Sequence, residues 1–162
     1  MGEPRSIVPV SRSLLPQAQL VVERALHDTA YIDGALDALR AVVVAPGADG
    51  RALACVRDER IEGVIVFGFF GGASGAGRLQ LAVVDEGSRR ARIGRALAEE
   101  ALALLHAEGA RFVLAELPED ERALPGARAF LEALEFRLES RVEDFFRDGV
   151  ALAFMRRDSS TG

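Results

Sequence analysis

The chain has 162 residues and a net charge of −5, with 49% apolar and 28% charged residues and one Cys. A chain of this size forms one domain whose core needs no disulfide staple, and its apolar share excludes disorder. All 20 basic residues are Arg, and the acidic balance argues against a general nucleic-acid binder.

The first residues carry no basic stretch followed by an apolar run, so no secretory signal is read there. No apolar run approaches the roughly 18 residues that cross a bilayer. A cytoplasmic protein with no membrane attachment is the expectation.

Ser6 to Val10 reads as a strand, followed by apolar residues at helical spacing from Leu14 to His27. A second helical stretch runs from Tyr31 to Val44 and ends at the turn cluster Pro46–Gly50. Strands follow at Arg51–Arg57, Ile61–Phe70 and Arg78–Val84, the first two joined by a tight turn at Asp58–Arg60. Gly71–Gly77 lacks the Gly-Lys-Ser/Thr of a P-loop and reads as a flexible hairpin loop. A basic loop leads into an amphipathic helix, Ile93–Glu108, with Gly109 as its stop. Then come a strand at Arg111–Leu117, an acidic loop to Pro125, and a helix at Ala127–Leu134. Two strands, Phe136–Phe146 and Val150–Arg156, turn at Asp148-Gly149. The order is β-α-α-β-β-β-α-β-α-β-β: one α/β domain over residues 1–158, with 159–162 as a frayed tail. The crossover from Arg78 to Leu117 makes its two flanking strands parallel, and ligands of such sheets favour the carboxyl ends of parallel strands.

The most informative stretch is Val84-Asp85-Glu86-Gly87-Ser88-Arg89-Arg90-Ala91-Arg92-Ile93-Gly94-Arg95. Its Arg residues crowd the start of a helix, where cations oppose the helix dipole. Either this is a solvated charged helix start, or the free N–H groups and guanidinium groups together hold an anion.

This strand-loop-helix resembles the acyl-CoA-binding motif of the GNAT-type N-acetyltransferases, Arg/Gln-x-x-Gly-x-Gly/Ala, which falls here on Arg89-x-x-Arg92-x-Gly94. Ala127-Arg128-Ala129-Phe130-Leu131-Glu132 to Phe136 is similar to the family's Ala-Arg-x-Phe-Tyr-Glu-x-x-Gly-Phe segment. Asp144-Phe145-Phe146-Arg147-Asp148-Gly149 is similar to the Asp-Phe-Tyr-x-x-Gly ending of a small-molecule branch. The resemblance covers nearly the whole chain and implies the GNAT acyl-CoA N-acyltransferase fold, with a mixed sheet. It implies acetyl-CoA as co-substrate, a small amine as acceptor, direct transfer, and no metal. Many relatives dimerise, and the C-terminal strands are the expected edge.

Several positions depart from the family pattern. Arg92 stands at the first motif Gly, where backbone and phosphate approach closely. Leu131 stands where the family commonly has a Tyr that protonates the leaving thiolate, and Leu cannot donate a proton. Glu135 replaces a Gly after the helix, and Glu86 a common Pro. A protein of this fold that binds CoA or a partner without turnover is therefore the alternative to an enzyme. An anion- or nucleotide-binding module unrelated to CoA is a third reading.

By the resemblance, Arg89, Arg90, Ala91, Arg92, Ile93, Gly94 and Arg95 hold the pyrophosphate, with Phe130 beside it. Backbone N–H groups near Val83 and Val84 meet the thioester oxygen. The strand Arg78–Val84 has no carboxylate, so Glu116 on its parallel neighbour is the candidate base, against a plain solvated carboxylate. Tyr31, the only Tyr, is the only phenol available as an acid, and the resemblance implies that it lies with Asp33 in a wall of the acceptor site; an ordinary helix-start aromatic is the simpler reading. Asp144 and Phe146 are candidate acceptor contacts, although Phe145 and Phe146 read more simply as strand core. Cys55 reads as a small buried side chain, and no metal-ligand pair accompanies it.

Overall fold

The computed structural model describes residues 2–47 and 49–159, and the Arg90 side chain lies outside that description. The chain runs β1 (Ser6–Pro9), α1 (Leu15–Ala25), α2 (Ile32–Val44), β2 (Arg51–Arg57), β3 (Arg60–Phe69) and β4 (Ala76–Val84). It continues through a 3-10 helix (Glu86–Ala91), α3 (Ile93–Ala107), β5 (Phe112–Pro118), α4 (Ala127–Ala133), β6 (Arg137–Arg147) and β7 (Val150–Asp158). This is the order expected from periodicity, with the basic loop wound into the 3-10 helix. β4 begins earlier than expected because Ala76 and Gly77 already pair with Phe112 and Val113. A Cβ at Gly77 would lie 3.1 Å from the Val113 side chain, so the bare backbone suits this close approach. Of the tail expected to fray, Ser159 donates its N–H to the Arg111 carbonyl at 3.0 Å; residues 160–162 lie outside the described residues.

All strands form one sheet in the order β1-β2-β3-β4-β5-β7-β6. β4 and β5 are parallel, as a crossover through α3 requires, and every other neighbouring pair is antiparallel. Helices cover both faces, which is why β3 reads as a continuous apolar run. Ile65 and Phe67 pack with Leu97, Ala101 and Leu105 of α3, while Val64 and Val66 pack with Val21, Val22 and Leu39 of α1 and α2. Burying each such side chain stabilises the fold by about 1.5–3 kcal/mol. Cys55 is buried at 2% exposure, and burial pushes its thiol pKa up. Among the described residues no helix is long and apolar enough to cross a membrane.

The register shifts in three strand pairs, and those between β3 and β4 and between β6 and β7 shape the site. Val66 of β3 faces Leu81 and Phe67 faces Leu79, so Gln80 is an extra residue in β4. Such a bulge adds twist and bends its strand. Pairing between β4 and β5 stops at Leu79 and Ala115, immediately before it. The two parallel strands therefore part at the centre of the sheet. At the edge, β6 is exposed along its whole length, and its register with β7 breaks between Leu138 and Ser140 and between Val142 and Arg147. Phe145 and Phe146 are accordingly 55% and 40% exposed. The sequence expectation of strand core is corrected: an edge strand with bulges has no second layer to bury them.

Candidate active site

Where β4 and β5 part, a pocket of about 430 Å³ passes through the sheet from one helical layer to the other. On one side it meets Ala127, Phe130 and Leu131 of α4; on the other, Tyr31, Gly34, Ala35 and Ala38. β4 borders it from Arg78 to Val83. Beyond Leu79, backbone groups of β4 pointing toward β5 have no strand partner there. They are the type of fixed donor that a developing oxyanion requires. Val83 lies on this border, whereas the side chain of Val84 packs with the Phe130 ring around Gly94, each 3.3 Å from where a Gly94 Cβ would stand.

α3 begins beside Phe130. Its N-cap, Arg92, makes no side-chain capping bond, and no acidic residue stands in the first turn. The first amides, at Ile93, Gly94 and Arg95, thus lack a side-chain cap and sit at the positive end of the dipole, which suits a phosphate. Arg92 itself is left-handed, at φ 56° and ψ 29°. Glu135, after α4, is left-handed too, at φ 69°. Both stand where the family motif has Gly. The sequence suggests crowding as the reason for Gly at Arg92; the structure supplies a backbone reason, because a Cβ in this region costs roughly 1–2 kcal/mol.

Arg89, Ala91 and Arg92 are exposed around this helix start, and the Arg90 side chain is outside the description. Arg95 turns the other way. Its Nε donates to Glu99 Oε1 at 2.8 Å, and it lines a separate groove between α3 and α4 with His106, Glu135 and Arg157. The loop is held from below by Glu62, which is 6% exposed. The Glu62 carbonyl accepts the Asp85 N–H at 2.8 Å, and its Oε1 accepts the Ser88 hydroxyl at 3.2 Å. Arg5 and Arg57 pair with the same carboxylate at 2.7 and 2.9 Å.

On β5, Val113, Ala115 and Leu117 are buried toward α3 and α4, so strand alternation turns Glu116 to the α1/α2 half of the pocket. Glu116 Oε1 forms an ion pair with Arg78 Nη2 at 2.9 Å. The Arg78 guanidinium lies 5.2 Å from the Phe70 ring centre, and its Nε is buried without a hydrogen-bond partner among the described residues.

Tyr31 also lines this half, but its proton is committed. The hydroxyl donates to Asp120 Oδ2 at 2.7 Å, and Arg147 Nη2 donates to the same oxygen at 2.9 Å. Asp120 Oδ1 accepts the Ala123 N–H at 3.2 Å. Burial, then the bond to the Asp120 carboxylate, pushes the Tyr31 pKa up. The Tyr31 hydroxyl, followed by the Ala123 N–H and the Arg147 guanidinium, holds the Asp120 carboxyl below the usual range despite its burial. Phe146 meets the Tyr31 ring edge-on at 5.4 Å, and Phe145 meets Phe146 at 4.9 Å.

Asp33 and Asp144 do not line the pocket. Asp33 is exposed on α2. Asp144, at φ 52° within the bulge of β6, accepts the Gly149 N–H on Oδ1 at 2.7 Å and closes the β6–β7 turn. The structure thus brings together Tyr31, Val83, Glu116, Phe130 and Phe146, and leaves Arg95, Asp33 and Asp144 outside. Sequence reasoning missed Arg78, Asp120, Arg147 and Glu62. Asp120 sat in a run read only as an acidic loop, and its partners are 89 and 27 residues away, beyond any local periodicity.

No family model matches the chain, and no curated protein matches it in sequence. Solved structures do match. A protein assigned to the GNAT acetyltransferases from Desulfovibrio desulfuricans superposes with a TM-score of 0.84 at 20% identity, over 96% of this chain and 99% of that one. The ribosomal-protein-S18-alanine N-acetyltransferase from Escherichia coli gives 0.77 at 17% identity, over 98% and 96%. An aminoglycoside 6'-N-acetyltransferase complexed with coenzyme A gives 0.73 at 14%, over 94% and 96%. In element order, sheet topology and the parting of its two parallel strands, this chain has the GNAT acyl-CoA N-acyltransferase fold.

Proposed function

We propose that the chain is an acyl-CoA-dependent N-acetyltransferase that passes an acetyl group directly to a small amine. The observation that carries this is the pocket through the parted strands: one mouth lies beside the uncapped start of α3, the other between α1/α2 and β6. The thioester and the amine can then enter from opposite faces and meet at the β4 border. The pyrophosphate would lie on the first amides of α3, with Arg89 and Arg92 near it, and the pantetheine arm along Phe130 and Leu131. That the neighbouring aminoglycoside enzyme was solved with coenzyme A agrees with a CoA-type co-substrate.

In the proposed step the amine lone pair attacks the thioester carbonyl, and β4 amides between Gln80 and Val83 stabilise the oxyanion. Collapse of the tetrahedral intermediate breaks the C–S bond and releases the thiolate of CoA. An acceptor arriving as an ammonium first gives one proton to solvent, and the proton that leaves the nitrogen after attack passes to Glu116, directly or through one water. A free thiol has a reference pKa of about 8.5, so its thiolate departs without an obligatory acid and takes its proton from solvent. This accommodates Leu131, and it frees Tyr31 from the acid role suggested by its being the only phenol.

A CoA-binding protein without turnover is the second reading, favoured by Leu131 and by the pairing of Glu116 with Arg78. Melting curves with acetyl-CoA, CoA and ATP come first. A ligand at 100 times its Kd adds about 2.7 kcal/mol, a shift of several degrees. Stabilisation by the CoA species alone supports the site, and its absence overturns the reading. Release of CoA thiol in the presence of amines then separates enzyme from binder. A gain in turnover on Leu131→Tyr would point to an enzyme with a slow acid step.

A further inference from the structure

Resting on the acyltransferase reading above, we propose that the acceptor is a primary amine on a compact apolar body, such as an arylalkylamine. The same features disfavour polyamines, aminoglycosides and peptide N-termini.

The acceptor half is apolar and roomy. Gly34 and Ala38, one turn apart on α2, face it, and a Cβ at Gly34 would have no atom within 4 Å. The rings of Tyr31, Phe145 and Phe146 line this half as well, and such rings attract an arriving ammonium to their faces while packing its hydrocarbon. Such a lining with few polar groups selects a largely apolar ligand.

The charge inventory agrees. Arg78 and Glu116 are the charged side chains lining the pocket, and at 2.9 Å they neutralise each other. Two carboxylates near the aromatic wall are engaged, Asp120 by Tyr31, Arg147 and Ala123, and Asp144 by Gly149, and Asp33 is exposed on α2 outside the pocket. A second ammonium drawn inside would be desolvated beside a carboxylate already paired with Arg78. A polyvalent cation is therefore the wrong guest.

The third feature is closure. Tyr31 precedes α2, Asp120 lies between β5 and α4, and Arg147 ends β6, yet the three are joined through one carboxylate oxygen at 2.7 and 2.9 Å. The Tyr31–Phe146 contact reinforces this bridge. The bridge ties three elements together beside the acceptor half, which disfavours an acceptor whose chain continues past its amine.

The test supplies acetyl-CoA-loaded protein with 2-phenylethylamine, spermidine or an alanine-initiated tetrapeptide, reading thiol release and melting shift. The Cys55 thiol is buried and leaves the thiol assay clear. The expected kcat/KM for 2-phenylethylamine exceeds the other two by at least about tenfold. Gly34→Leu replaces a helix-weakening Gly, so the fold tolerates it. It should raise the phenylethylamine KM by about tenfold while the acetyl-CoA melting shift persists. Preference for spermidine or the tetrapeptide, or an unchanged KM in Gly34→Leu, overturns the proposal. If acetyl-CoA gives no melting shift, the acyltransferase reading itself fails. The pocket is then judged by the shift from 2-phenylethylamine alone, as it is if acetyl-CoA binds and no amine is acetylated. Gly34→Leu should abolish that shift, and its absence in the parent chain overturns the assignment.

Discussion

The Tyr31 hydroxyl donates to Asp120 Oδ2 at 2.7 Å, joining the connection between α1 and α2 to the loop before α4. Arg147 donates to the same oxygen, so the end of β6 is drawn into the same knot. These elements are remote in sequence, and their junction forms the outer wall of the acceptor half of the pocket.

That pair gives a pH signature. Asp120 titrates below its usual range in the fold, so its contribution is present above about pH 4 and fades as pH falls through the folded value. Tyr31 titrates above its usual range, so its contribution is present below about pH 10 and fades as pH rises through the raised value. Tyr31→Phe should cost about 1 kcal/mol at neutral pH, a melting shift of about 2–4 °C. The difference from the parent should be level between those limits and shrink at both ends. A difference that keeps growing toward low pH would mean that the pair is not formed.

Arg92→Gly and Glu135→Gly each relieve a left-handed residue. Each should stabilise the fold by about 1 kcal/mol, and the two should add because they sit on different elements. Thermal melting checks this. An unchanged midpoint for Arg92→Gly would show that its backbone is right-handed in solution.

Glu116→Gln should keep the fold, because the amide has the shape of the carboxylate and Glu116 is only partly buried. The rate should fall by at least about 10²-fold as the proton acceptor is lost, with acetyl-CoA affinity intact. Single-turnover kinetics beside acetyl-CoA titration checks both. A rate within about twofold of the parent would move the base elsewhere, or to solvent.

Ser88→Ala removes one of the two bonds from Glu62 to the loop, and Glu62→Ala removes the carboxylate shared by Arg5 and Arg57. The first should cost about 1 kcal/mol or less of stability and the second about 1–3 kcal/mol. Both should weaken acetyl-CoA binding, because the loop and the start of α3 lose their anchor. Calorimetric titration with CoA reads it out, and equal affinity in both variants would free the loop from Glu62.

Local periodicity and punctuation were sufficient for the elements. Apolar spacing on α3, the turn at Asp148-Gly149 and the crossover from β4 to β5 each depend on neighbours in the chain. The Arg-rich helix start and Glu116 were legible for the same reason: strand alternation and helix polarity are local properties. The tertiary structure decided what depends on contacts across the sheet. The bulge at Gln80 parts β4 from β5 through pairing with β3, and no residue in β4 announces it. Asp120 looks like its acidic neighbours until Tyr31 and Arg147 arrive from distant segments to bind its carboxylate. Arg92 carries its Gly-like conformation invisibly, because a side chain's identity does not report the φ that packing imposes on it. Sequence determined which elements form and which faces they bury; the folded sheet determined which side chains share a pocket, because that depends on distances between residues the chain does not join.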